Sequence, residues 1–83
     1  MPTIARIGPY RVFFYSKEDF HPPHVHIERD DSVAKFWLDP VDLASSRDFP
    51  THELNKLWDL VVEKQETWLQ EWYERHGNTS ASN

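Results

Sequence analysis

At Thr51 the spacing of apolar residues changes from alternation to intervals of three and four, and this change constrains the fold more than any other feature. From there Leu54, Leu57, Trp58, Val61, Trp68, Leu69 and Trp72 recur at helical spacing, with Gln65 inside the stripe, which predicts one long amphipathic helix. Thr51 is placed to cap its first turn, and Glu53 suits the positive end. Arg75 and His76 suit the negative end, and Gly77 can close it. Before Thr51 the signals are those of strands. Tyr10 to Tyr15 is rich in aromatic and β-branched residues and follows the turn signal Gly8-Pro9. Ser16 to Pro23 is polar, and Pro22-Pro23 cannot continue a central ladder, so it reads as a loop. His24 to Arg29 is the next strand, Asp30-Asp31 a hairpin turn and Ser32 to Leu38 the returning strand, which Asp39-Pro40 ends. Val41 to Ala44 adds a short edge strand, and Ser45 to Asp48 a polar connection. The expected architecture is a single α+β domain over residues 1–76, a three- or four-stranded mainly antiparallel sheet packed on the C-terminal helix. Residues 77–83 are expected to be a disordered polar tail.

A domain of 83 residues buries only about 60% of its unfolded surface, so it needs an efficient core or a partner. Aromatic residues form 14% of the chain, which suits a dense core and allows for a homodimer. With no cysteine, any metal would have to be held by His, Asp or Glu. No stretch approaches the length of a membrane span and the first residues carry no apolar signal run, so the expectation is a cytoplasmic protein of prokaryotic type. The net charge of −5 argues against a general nucleic-acid coat. However, residues 50–83 carry six acids (Glu53, Asp59, Glu63, Glu66, Glu71, Glu74) against three bases (Lys56, Lys64, Arg75), which leaves the N-terminal part nearer neutral.

That part holds His21-Pro-Pro-His24-Val-His26, three of the five histidines within six residues. Alternation along a strand points His24 and His26 to one side, and Val25 and Ile27 to the other. With a two-residue turn, Arg29 faces Ser32, Glu28 faces Val33, His26 faces Lys35 and His24 faces Trp37. One face then carries His24, His26, Glu28, Lys35 and Trp37, joined by Arg11 and Tyr15. The opposite face collects Val25, Ile27, Ala34, Phe36 and Leu38 for the helix to cover.

Three readings of the histidine face compete. A divalent transition metal could be held by His24, His26 and Glu28 or His21, although Lys35 would set a cation beside it. Without a metal or other cofactor, His24 or His26 could act as general base or acid, while Lys35 and Arg11 stabilise a phosphate in transition. Tyr15, Trp37 and His21 would then contact the RNA. The third reading has no reaction: His21 and His24 hydrogen-bond the backbone around the Pro-Pro bend and Trp37 covers the sheet. The helical Trp stripe fits core packing. Gln65 is either a buried hydrogen-bonding residue or a sign that the helix turns out of the core, and His52 and His76 suit solvent-facing terminal positions.

The order Met1-Pro-Thr-Ile, Tyr10-Arg-Val-Phe-Phe-Tyr15, His21-Pro-Pro-His24-Val-His26, Ala34-Lys-Phe-Trp37, Glu53-Leu54 and Trp72 resembles the prokaryotic family called domain of unknown function 4160. The resemblance spans about residues 2–76. It implies a toxin-like component of a two-gene toxin-antitoxin module, encoded beside a small antitoxin-like protein of domain of unknown function 2442. A ribonuclease using the His/Lys face and a non-enzymatic module that binds this neighbour are the alternatives. The family pattern falls on His21, Pro22, Pro23, His24 and His26, and on Ala34, Lys35 and Trp37. The chain departs from it at Asp48, where Gly is common, and at Lys64, where His is common. The first departure bears on the tightness of that turn, and the second leaves the sheet face as the better site.

Overall fold

The computed structural model describes residues 3–15 and 22–76, so His21 and the segment 77–83 lie outside the described residues. Five strands, β1 (Thr3–Ile7), β2 (Tyr10–Phe13), β3 (His24–Arg29), β4 (Ser32–Leu38) and β5 (Val41–Arg47), precede one helix, α1 (Thr51–His76). The sheet is antiparallel throughout, in the order β1-β2-β3-β4-β5. The α+β class and the long C-terminal helix match expectation, but the sheet has five strands rather than three or four. The added strand is β1. Its register slips between Thr3 and Ala5, so Ile4, Ala5 and Ile7 all pack against the core and period-two alternation fails as a signal. β5 runs to Arg47 rather than stopping at Ala44, because backbone pairing to β4 holds the polar residues Ser45, Ser46 and Arg47 in the strand without help from apolar side chains of their own.

Turn chemistry explains the connections. Gly8 sits at φ +55 between β1 and β2, where an L side chain is strained. Asp30 (φ +55) takes the left-handed position of the two-residue β3–β4 turn, a role Asp tolerates better than most residues. Asp48 (φ +69) does the same ahead of the helix, and its carbonyl accepts a hydrogen bond from Ser32 Oγ at 3.1 Å. Asp48 thus holds the left-handed backbone that glycine adopts most readily. At the helix start the Pro50 carbonyl accepts from the amides of Glu53 and Leu54, both at 3.0 Å, so Thr51 is already helical rather than the cap.

The core lies between the sheet and α1. Val12, Phe14, Val25, Ile27, Ala34, Phe36 and Leu38 meet Leu57, Val61, Trp68 and Trp72, all buried. Gln65 resolves as a hydrogen-bonding residue, donating from Nε2 to the Leu38 carbonyl at 2.6 Å. Arg29, at the end of β3, grips Glu53 on the first turn of α1 through Nε at 2.7 Å and Nη2 at 2.8 Å. The Tyr10 hydroxyl donates to the same carboxylate at 2.7 Å. The hydrogen bonds from Arg29 and then Tyr10 hold the Glu53 pKa below its usual 4.5. Burial, followed by the bond to Glu53, raises that of Tyr10.

A carboxyl whose folded pKa is depressed contributes stability above its unfolded pKa and loses it as pH falls through the folded value. Urea midpoints are therefore expected to drop below pH 4.5, with Glu53→Gln flattening that acid limb. An identical limb in the variant would refute the linkage.

Candidate functional site

The sheet face turned away from α1 is organised in rows by the strand register. Antiparallel partners lie on the same face, about 4.8 Å apart from strand to strand. The first row reads Arg6, Arg11, Glu28, Val33, Arg47, and the second Thr3, Phe13, His26, Lys35, Ser45. The third contains His24, Trp37 and Asp42. The expected pairs His24 with Trp37, His26 with Lys35, Glu28 with Val33 and Arg29 with Ser32 are the ones observed. Arg11 and Tyr15 join this face as expected, the first through Glu28 and the second through its ring against His26.

The imidazoles form the middle of an aromatic cluster. His26 stacks on Phe13 at 5.4 Å between ring centroids, meets Tyr15 at 4.3 Å and meets His24 edge-on at 5.1 Å. His24 in turn meets Trp37 at 5.5 Å and Trp72 at 4.9 Å. Trp72 also contacts Phe14 at 5.2 Å, so the end of α1 reaches the start of β3. His24 is 0% exposed and His26 6%, whereas Tyr15 is 39% exposed and Trp37 half-buried. His24 Nδ1 lies 2.9 Å from the Pro22 carbonyl. A carbonyl only accepts, so Nδ1 carries a proton and donates it to Pro22.

The cations on the face differ in how firmly they are held. Arg11 donates to Glu28 Oε1 at 2.6 Å and to Thr3 Oγ1 at 2.8 Å, with its guanidinium 4.4 Å from the Phe13 ring centroid. Such a pinned group positions rather than samples. Lys35 extends along the sheet with Nζ 4.6 Å from the Trp37 ring centroid, a cation–π contact that leaves its other N–H groups for a ligand. Among the described residues the face thus carries four cations, Arg6, Arg11, Lys35 and Arg47, against two carboxylates, Glu28 and Asp42. That excess is opposite in sign to the whole chain at −5.

Sequence reasoning placed Lys35, Arg11, Tyr15, Trp37 and the two histidines together, and they are together. Arg6 and Arg47 were missed, because their strands or strand ends were missed. Only the pairing of β1 with β2 and of β5 with β4 puts them in the same row. Glu28, the carboxylate of the metal reading, is engaged by Arg11, and among the described residues no group of three or more His, Asp and Glu gathers as a metal site. An apolar cleft lies elsewhere, lined by Ile7, Pro9, Leu57 and Leu60 on the helix side of the sheet.

The family model described as Domain of unknown function (DUF4160) matches residues 10–73, a span that includes β2 through most of α1 and every histidine-face residue except those of β1. No curated protein and no solved structure matches the chain.

Proposed function

We propose that this chain, which belongs to the family described as Domain of unknown function (DUF4160), binds single-stranded RNA on its histidine-bearing sheet face, as the toxin-like member of a two-protein module. The observation that carries the reading is the charge of that face: cationic, on a protein that is acidic overall. RNA without a partner strand is recognised by stacking of splayed bases on rings and by cations on the phosphates. Tyr15 and Trp37 supply the accessible rings, and Lys35, held over Trp37, supplies a cation beside a stacked base. The small antitoxin-like protein, in this reading, would silence the chain by covering the same face.

Burial of both imidazoles supports binding over chemistry in this reading. Cleavage is the second reading, and the edge-on pair of His24 and His26 supports it, since two adjacent imidazoles could divide base and acid roles. Such a reaction would need no metal and would survive chelation.

Fluorescence anisotropy with a labelled single-stranded RNA of about ten nucleotides, a length within the usual range of single-strand sites, tests the first reading. Binding is expected to weaken with added salt, and Lys35→Glu is expected to reduce affinity by about tenfold or more, since it reverses a phosphate-facing charge. In cells, expression of the chain alone should arrest growth, with relief by its neighbour or by Lys35→Glu. Equal affinity of wild type and Lys35→Glu would end the proposal.

A further inference from the structure

We propose that β5 is a self-complementary edge that pairs antiparallel with β5 of a second copy, setting Asp42 opposite the partner's Arg47 and Arg47 opposite the partner's Asp42. β5 closes one end of the sheet order, so one side of its backbone pairs with β4 and the other has no strand partner among the described residues. It is seven residues long, contains no proline, and residues 44–47 are exposed. Open edges of that kind are templates for another strand.

The charge pattern selects the occupant. Asp42 and Arg47 are an odd number of residues apart, so regular alternation would send them to opposite faces. The β4–β5 register shifts by one residue between Lys35 and Phe36, leaving Ala44 as the extra residue. As a result Asp42, opposite Trp37, and Arg47, opposite Val33, share the histidine face. A two-fold antiparallel pairing then aligns each carboxylate with a guanidinium. The same register puts Leu43 opposite the partner's Ser46, and both belong to the helix-side face through Phe36 and Ala34. A slip of one residue would oppose side chains from different faces, and a slip of two would lose both ion pairs.

Within one copy, Asp42 Oδ1 accepts from the Leu43 amide at 2.9 Å, which leaves Oδ2 for the incoming guanidinium. Arg47 makes no ion pair among the described residues. The other edge lacks this pattern, because Arg6 is the one charged residue of β1 and has no carboxylate there to meet. The two-fold axis of an antiparallel pair runs through the sheet, so both histidine faces would lie on the same side of one continuous ten-stranded surface, with both helices behind it.

Sedimentation velocity of the full chain over a concentration series tests this, with thermal melts to confirm that each variant is folded. Wild type should dimerise as concentration rises. Asp42→Arg and Arg47→Asp should each weaken the dimer about tenfold, because each removes two ion pairs and opposes like charges twice. The double exchange Asp42→Arg/Arg47→Asp should restore it. Amide exchange supplies a readout that needs no variant: protection of residues 41–47 should rise with concentration. A monomer at every concentration, a dimer indifferent to the single reversals, or a double exchange that fails to restore association would each overturn the proposal.

Discussion

Phe36→Ala is expected to lower the folding free energy by about 3–5 kcal/mol, the range for removing a large aromatic from a packed core. Phe36 is fully buried at the centre of β4, between Val25 and Leu43 in the register, with its ring edge-on to Trp58 of α1 at 6.0 Å. It therefore joins the sheet to the helix at the point where the two layers meet. A domain of 83 residues is stable by only about 4–12 kcal/mol at 0.05–0.15 kcal/mol per residue, so the variant should be partly or wholly unfolded near physiological temperature. Val62→Ala, at a helix position 51% exposed, should change stability by less than about 0.5 kcal/mol and serves as the control. Urea denaturation followed by Trp fluorescence measures both, and similar midpoints for the two variants would contradict the placement of the core.

The second large effect concerns His24, whose substitution by alanine looks harmless to folding if the residue is read as a surface acid or base. The structure corrects that view. The ring is 0% exposed, packed against Trp37, Trp72 and His26, and its Nδ1–H donates to the Pro22 carbonyl. His24→Ala is expected to destabilise the protein by about 2–4 kcal/mol, through the cavity and the lost hydrogen bond together. Loss of growth arrest in that variant would then report unfolding as readily as lost chemistry. His24→Asn separates the two, because its amide can still donate to Pro22 while the imidazole is gone. Stability should recover in part, as measured by thermal melting. If the His pair cleaves RNA, cleavage should remain absent although RNA binding persists. If His24→Ala melts with wild type, the packing role assigned to His24 is wrong.

These two residues also show which parts of the site were readable in advance. The alternation of His24-Val25-His26-Ile27 and the two-residue turn at Asp30-Asp31 were enough to derive the β3–β4 register, and with it the meeting of His26 with Lys35 and of His24 with Trp37. The helix was equally legible, because eight positions at helical spacing leave no strand alternative. β1 was not, since the bulge near Ile4 sends adjacent apolar residues to one side. The role of Glu53 was half legible: it lies in the first helical turn, as its charge suggests, but its partners Arg29 and Tyr10 come from distant strands. The left-handed turn at Asp48, with φ +69, carries no glycine to announce it, and only the backbone shows it.

What the sequence determined by itself was the set of local periods and turns, and therefore which side chains share a face within each strand and within the hairpin. Those are consequences of backbone geometry a few residues long. What only the tertiary structure decided was burial and neighbourhood across strands: that the histidines sit inside an aromatic cluster, that Arg6 and Arg47 join Arg11 in one row, and that an extra residue at Ala44 puts Asp42 and Arg47 on the same face. These depend on which distant segments pack together, a choice made by the burial of the whole core and not by any single stretch of chain.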